Sequence, residues 1–232
     1  MNCYSKPEYL FIIYHKAFSL SITMSAFKGV FFMHEQEIKI PTTRNGLATF
    51  QLIVDTTIDL FYKKGYHGTT INNITTAAGI GAGTFYLYFP NKLVLYRYIL
   101  TQYQHEIRKR ISEKVSRVEG RFEKEKVGIK TFIKYALENP HAYNIIWESL
   151  YIDKTIFRNY YDSFAKRYER GLNKSIEDGE MHDVNTELVS YILMGVTNFI
   201  GLKILLDLGD NNDDVDKIVD DVMDIIKSGI FK

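Results

Sequence analysis

The stretch TTINNITTAAGIGAGTFYLYF, residues 69–89, decides the fold of this chain. Its first half places threonines before a short segment with helical apolar spacing, and a threonine hydroxyl is a good N-terminal helix cap. Gly79 interrupts this segment, because glycine adopts at low cost the left-handed conformation that ends a helix. A second short helix is predicted at residues 81–88. Two short helices joined by a glycine-containing turn indicate a helix-turn-helix.

A longer amphipathic helix is predicted just before this motif, over residues 43–64. Its apolar positions recur at a spacing of three and four, as on the buried face of a helix; they are Leu47, Phe50, Ile53, Val54, Thr57, Ile58 and Phe61. Gly65 is expected to end this helix. With Phe85 and Phe89 assigned to the core, the three helices form a small domain, which we place at residues 39–90.

Residues 60–92 carry a longer pattern, LFxxxGYxxTTIxxIxxAAGIxxGTFYxYFxxK. This pattern resembles the DNA-binding domain of the tetracycline-repressor (TetR) family of bacterial transcription regulators. The match is long and has no gap, whereas the rest of the chain is similar to the family only in its helical pattern and length. The resemblance implies that the helix-turn-helix binds double-stranded operator DNA.

Eight residues are candidates for contact with DNA under this resemblance. Small residues at the start of a recognition helix let the backbone approach DNA, where free N–H groups and the helix dipole favour phosphate. Hydroxyl and ammonium groups at helix starts can bind phosphate, while Ala82 and Thr84 are placed to touch base edges. The set is Thr70, Gly81, Ala82, Gly83, Thr84, Tyr86, Tyr88 and Lys92; one of the two tyrosines could instead belong to the core.

Two positions depart from the family pattern. Gly81 stands where the family usually has a serine that caps the recognition helix and reaches a phosphate. Leu93 stands where an acidic residue usually follows the lysine. The first departure removes a contact with DNA and affects both the affinity and the base preference that we expect.

Enzymatic functions find no support in the motifs. Residues 79–83 read GIGAG, but a nucleotide-binding glycine loop follows a strand, and here a helix precedes it. The sequence has no Gly-x-Ser-x-Gly, and His105 with Glu106 lacks the second histidine of a metalloprotease helix. We predict no enzymatic activity, no cofactor and no metal site, and keep a helical enzyme only as a third hypothesis.

Residues 91–232 are predicted to form a second helical domain, for ligand binding and dimerisation. We expect a connecting helix at residues 91–118, a break at the charged residues 119–126, and then helices up to residue 138, from Pro140, and over 153–177. Aromatic residues are frequent here; such a stripe is more often core, but it also suits a cavity for a flat or apolar ligand. The candidate ligand-binding residues are Tyr143, Trp147, Tyr151, Tyr161, Phe164 and Tyr168.

The last two helices are expected at residues 185–208 and 213–228, as an antiparallel pair. The first of them is apolar on more than one side and therefore needs a second partner. The resemblance implies that this partner is a second copy of the chain, in a four-helix dimer interface. Ordinary packing within one chain is the alternative.

Charge is distributed unevenly, although the net charge is only +1. Residues 39–100 contain six Lys and Arg against two Asp, whereas residues 171–232 contain five Lys against thirteen Asp and Glu. This asymmetry suggests that only the early module faces a polyanion. The single cysteine, Cys3, cannot form an internal disulfide, which favours a reducing compartment and a cytoplasmic location.

Residues 1–38 do not continue the helical pattern. Neither of their two apolar runs reaches the about 20 residues needed to span a bilayer, and a secretory signal is poorly matched. Because Met24 and Met33 are alternative starts, we interpret this stretch as an extension outside the fold. An amphipathic arm is the alternative.

These observations predict an all-α, homodimeric repressor of transcription that a small apolar or aromatic molecule releases from its operator. The alternative function keeps the DNA-binding module and makes the second domain a protein-interaction scaffold without an inducer.

Overall fold

The predicted helix-turn-helix is present and lies within an all-α structure. The computed structural model describes residues 38–207 and 214–230, and the elements found there are α-helices. The predicted fold class is therefore confirmed. The extension predicted at residues 1–38 lies outside the described residues, apart from its last residue.

Nine helices occur within the described residues, and their bounds are close to those predicted. They are α1 Arg44–Gly68, α2 Ile71–Ala78, α3 Ala82–Tyr88, α4 Lys92–Val115, α5 Arg121–Glu138, α6 Pro140–Ile152, α7 Lys154–Glu177, α8 Thr186–Asp207 and α9 Asp214–Ile230. Helices α1 to α3 correspond to the DNA-binding domain predicted from the sequence, and α4 is the connecting helix.

Helix α1 does not end at Gly65, as the sequence suggested, but bends there. Gly65 has φ 71° and ψ 170°, and the helix continues for a further turn to Gly68. Because the left-handed region costs glycine little, the residue allows a kink as well as a stop. Along α1 the buried residues are Phe50, Ile53, Val54, Thr57 and Phe61, whereas the predicted core residue Leu47 is exposed.

The first core extends across the predicted domain boundary at residues 90 and 91. Phe50, Ile74 and Phe85 pack in one cluster with side chains of α4, α6 and α7, among them Tyr96 and Ile145. The hydroxyl of buried Tyr96 also donates a hydrogen bond to the backbone carbonyl of Ile145. The boundary itself stays a prediction, because no gap in the packing marks it.

The sequence predicts a break at the charged residues 119–126, but most of them form the first turns of α5. The break is shorter and ends at Gly120, whose φ of 73° starts the helix at Arg121. Arg121 and Glu125 pair one helical turn apart, and the hydroxyl of Tyr168 also donates to Glu125. Charges at this spacing stabilise a helix instead of interrupting it.

The last two helices both pack on α5 more than on each other, so the predicted direct pairing between them is wrong, while their antiparallel direction stays a prediction. Leu193 and Ile204 of α8 join Val215 and Val219 of α9 in one core, around Ile133 of α5. The sequence could not show this, because helical periodicity identifies an apolar face but not the helix that covers it.

Lysines on α5 form ion pairs with some of the acidic residues near the C-terminus. Lys126 pairs with Asp220 at 2.8 Å, while Lys130 and Lys134 pair with Asp216 at 2.6 Å and 3.2 Å. Hydrogen bonds from the two lysines lower the pKa of Asp216. These ion pairs set α9 against α5 in one register, although pairs this exposed stabilise the fold only slightly.

Helix α8 is apolar on its outward side as well as its inward side. Val189, Leu193 and Ile204 are buried, whereas an opposite set of large side chains is exposed: Leu188, Tyr191, Ile192, Phe199 and Leu206. The segment Thr186–Leu206 is long and apolar enough to cross a membrane by length and composition alone. Since its inward side completes the protein core, only the outward side needs an external partner.

Candidate functional site

Helix α2 is closed at its start by a reciprocal cap. The Thr70 hydroxyl accepts from the backbone N–H of Asn73 at 3.1 Å, and the Asn73 side-chain oxygen accepts from the N–H of Thr70 at 2.9 Å. This arrangement satisfies backbone N–H groups that a helix start leaves free. The Thr70 hydroxyl also donates to the Asn73 side-chain oxygen at 2.8 Å. These bonds confirm Thr70 as a cap, while its contact with DNA stays a prediction.

The turn to the recognition helix uses the glycine that the sequence indicated. Gly79 has φ 65° and ψ 32°, and its N–H bonds back to the last turn of α2. Helix α3 is then anchored by Phe85 and by Phe89 just after it, both fully buried as predicted. These two side chains therefore fasten α3 to the core of the domain.

The two tyrosines of α3 have different surroundings. Tyr86 is 54% exposed, whereas Tyr88 is 7% exposed and packs edge-on against Phe50 with ring centroids 5.7 Å apart. Tyr86 is therefore available to DNA. Tyr88 belongs to the core, and only its hydroxyl group could reach a phosphate.

The start of α3 is open on the outside. Gly81 makes no side-chain cap, as the missing serine implied. A Cβ atom added at Gly81 or Gly83 would meet no atom within 4 Å, and residues 81–83 are exposed. Folding of this chain therefore does not require glycine at either position, although glycine in a helix costs about 0.5–1 kcal/mol relative to alanine.

Lys92 is partly buried and forms hydrogen bonds within the protein, which the sequence did not indicate. Its ammonium group donates to the backbone oxygens of Tyr66 and Thr69 at 2.5 Å and 2.6 Å and lies 4.0 Å from the centre of the Tyr66 ring. Burial lowers the pKa of Lys92, an effect that the charge of Glu148 partly offsets. The main role of Lys92 in this structure is to close the end of α1; its predicted phosphate contact stays a prediction.

Glu148 of α6 completes the same junction from the other side. Its carboxylate accepts from the backbone N–H of Tyr66 at 2.6 Å. A Cβ atom at Gly65 would lie only 2.8 Å from that carboxylate oxygen. The end of α1 is thus bonded directly to the helix that carries Trp147, and we call Gly65, Tyr66, Lys92 and Glu148 the α1 junction.

The six candidate ligand-binding residues do not converge on one cavity. Trp147 and Tyr151 line a cleft of about 300 Å³ between α1 and α6, together with Phe61 and Glu148. Tyr151 is 80% exposed at its edge. Phe164 stacks under the guanidinium of Arg108. Tyr168 packs against the core around Ile133 of α5.

Tyr143 and Tyr161 meet at a buried residue that the sequence analysis missed. The Tyr143 hydroxyl donates to the backbone oxygen of Asn198 at 2.5 Å, and the Tyr161 hydroxyl lies 3.3 Å from the Asn198 side-chain oxygen. Burial raises the pKa of both tyrosines. An asparagine within an apolar helix carries no sequence signal for this contact, because its partners are more than 35 positions away.

This arrangement is a helix-turn-helix that packs against a further set of helices. Residues 53–99 match the family model described as "Bacterial regulatory proteins, tetR family". The resemblance inferred from residues 60–92 is therefore confirmed for the DNA-binding domain.

Two relatives from Bacillus subtilis share this region. The "Uncharacterized HTH-type transcriptional regulator YuxN" is 40% identical over 53 residues, 23% of this chain and 18% of the relative. The "Fatty acid metabolism regulator protein" is 30% identical over 71 residues, 29% of this chain and 37% of the relative. The chain spans well under half of the length of these relatives.

Solved structures of such regulators have the same fold over most of the chain. The structure of "FadR from Bacillus subtilis in complex with stearoyl-CoA" superposes with a TM-score of 0.66, covering 78% of this chain and 98% of that one. The two sequences are 18% identical over this match. At this level of identity the likeness concerns the fold, including the helices after α3.

Replacing Lys92 tests its place in the α1 junction. Lys92→Met should lower the free energy of unfolding by about 1–3 kcal/mol, because two carbonyl oxygens lose a charged donor. Lys64→Met is the matched control, since Lys64 is an exposed lysine of α1. Urea denaturation of both variants measures the difference, and equal stabilities would contradict this role.

Proposed function

We propose that this protein is a ligand-responsive, DNA-binding transcription repressor that acts as a homodimer. The observation that carries the proposal is the open, glycine-containing start of α3, on a domain that matches the tetR-family model. Glycines that folding does not require leave room for a partner to approach the backbone closely. Backbone N–H groups at a helix start favour phosphate.

The contacts with DNA follow from which side chains of α3 are exposed. Tyr86, which is 54% exposed, supports a phosphate contact, while Ala82 and half-buried Thr84 are candidates for base edges. Phosphate contacts fix the position of the protein, whereas base contacts select the sequence. We assign to α3 the role of the recognition helix in the major groove.

Dimerisation is supported by the outward side of α8. Its exposed apolar residues lie on one side of the helix, and monomeric proteins seldom leave a large apolar surface in water. A symmetric partner would cover it, and a twofold dimer would place two recognition helices about 34–36 Å apart or a multiple of that spacing. A dimer of this kind reads a near-palindromic site, and we expect it to work in the cytoplasm.

The effector is proposed to contain an apolar chain, with a long-chain acyl-CoA as the first candidate. Support comes from the aromatic cleft at Trp147 and from the similarity in fold to FadR bound to stearoyl-CoA. The α1 junction ties this cleft to the DNA-binding domain through Glu148. A ligand that moves α6 would therefore move α1, and release requires that it binds better to a conformation unable to hold DNA.

Gly83→Ala should separate folding from DNA binding. We expect the variant to be more stable by about 0.5–1 kcal/mol, since alanine favours a helix, but to bind DNA more weakly because the methyl group separates backbone and DNA. Fluorescence anisotropy with DNA fragments selected by the wild-type protein from a random library measures the affinity.

Gly128→Ala is the control for Gly83→Ala. Gly128 lies within α5, where an added Cβ atom makes only ordinary contacts of 3.9 Å. This variant should gain stability without losing affinity. If Gly83→Ala bound selected DNA as tightly as Gly128→Ala, the close approach of α3 to DNA would be wrong; if the wild type selected no DNA, the proposed function would be wrong.

Ile192→Glu should give a monomer. Ile192 is 46% exposed on α8, so the charge is compatible with folding of one chain but not with an apolar interface. Leu52→Glu, at 45% exposure on α1, places the same charge outside that surface and should leave a dimer. Sedimentation at micromolar concentration distinguishes these outcomes, and a monomeric wild type would refute the dimer.

Effector binding can be followed through Trp147, the only tryptophan of the chain. Stearoyl-CoA should change its fluorescence, and selected DNA should weaken this binding about 5- to 150-fold, the range that a coupling of 1–3 kcal/mol produces. Free coenzyme A controls for the acyl chain. Equal affinity with and without DNA would exclude the inducer mechanism, and no binding would favour the protein-interaction scaffold.

A further inference from the structure

A second cleft, of about 250 Å³, lies between α4 and α7 and is strongly basic. It is lined by His105, Arg108, Lys109, Ser112 and Arg167. None of the lining residues is acidic. It lies outside the proposed recognition helix and outside the Trp147 cleft, so neither role accounts for its composition.

Arg108 lies partly buried in this cleft with only neutral partners. Its guanidinium donates to the hydroxyl oxygen of Ser163 at 2.6 Å and stacks 4.2 Å from the centre of the Phe164 ring. The Ser163 hydroxyl donates in turn to the backbone oxygen of Tyr160 at 2.8 Å. Among the described residues, the buried Nε atom of Arg108 has no hydrogen-bond partner. A guanidinium rarely gives up water for such surroundings without a counter-charge.

The other arginines of α4 have the counter-charges that Arg108 lacks. Arg110 bonds to Glu106 and Glu138, both at 2.8 Å, and Arg97 bonds to Asp153 at 3.2 Å. Within residues 38–207 and 214–230, no carboxylate pairs with Arg108 or Arg167. Instead, burial and the nearby positive charge of Arg167 lower the pKa of Arg108 to about 10.

We propose that the cleft between α4 and α7 is a binding site for a phosphate group. Two guanidinium groups provide forked donors, and the ammonium of Lys109, which also lies 4.0 Å from Glu113, provides single ones; this set is suited to phosphate oxygens. A phosphate monoester carries about −1.5 to −2 charges at neutral pH, so it offsets more of this charge than a carboxylate. The bound phosphate would supply the negative charge that Arg108 lacks and would bridge α4 to α7.

Two sources could supply this phosphate: the free inorganic anion or the phosphorylated part of a larger molecule. The second source would link the cleft to the effector, and that link rests on the proposed function. The site itself does not, because it is defined by the residues of α4 and α7. Inorganic phosphate, pyrophosphate and coenzyme A are the probes that separate the two sources.

The test is binding of each probe to the full chain by calorimetry, with sodium chloride holding the ionic strength constant. At least one probe should bind to the wild type, and both Arg108→Gln and Arg167→Gln should weaken it by about tenfold or more. Tighter binding of coenzyme A than of inorganic phosphate would indicate the larger molecule, and the reverse the free anion. Arg167 is exposed, so its variant should fold even if the Arg108 variant does not.

Arg170→Gln serves as the matched control, since it removes the same charge from an exposed position of α7 outside the cleft lining. Its affinity should equal that of the wild type. The proposal fails if the wild type binds none of the three probes, or if Arg167→Gln and Arg170→Gln bind equally well. No DNA is present in the measurement, so failure here leaves the proposed repressor function intact, and failure of operator binding leaves this site intact.

Discussion

The fold of the DNA-binding domain depends on which groups form hydrogen bonds with the free backbone atoms at the bent end of α1. A kink at Gly65 frees backbone groups that a straight helix would bond internally, and free backbone groups inside a protein are costly. Here the N–H of Tyr66 is taken by Glu148, and the oxygens of Tyr66 and Thr69 are taken by Lys92. One charged side chain comes from each of α6 and α4. The bent end of α1, next to α2, is therefore bonded to helices that follow α3 in the chain.

The α1 junction therefore links α1 by hydrogen bonds to α4 and α6. Coupling between two sites requires an element with two arrangements that both sites bias. Helix α6 is the element that would have to move under the proposed function, because Trp147 and Glu148 are neighbours on it and line the same cleft with Phe61 of α1. A side chain at Gly65 is opposed by the positive φ of this residue, and it would also displace the Glu148 carboxylate, which lies 2.8 Å from the Cβ position.

The sequence predicted those features that depend on neighbouring residues. The Thr70 cap, the turn at Gly79 and the burial of Phe85 follow from local chemistry and helical spacing, and the structure confirms all three. Features that depend on distant partners were not predictable. Lys92 was assigned to phosphate because nothing nearby in sequence shows that carbonyl oxygens about 25 positions earlier accept its bonds. For the same reason the sequence did not identify Glu148, the α5 lysines that meet Asp216, or the inward side of α8.

The sparse surface of α3 has a consequence for the kind of operator that this protein would select. A helix whose leading residues are glycine, alanine and glycine offers few groups that can form hydrogen bonds with individual base pairs. Discrimination would then depend more on groove width and on how easily the duplex bends, which vary with sequence at positions that the protein never touches. Substitutions spread over such a site would each carry a small penalty, and flexible pyrimidine–purine steps between the half-sites would matter as much as the bases under the helix.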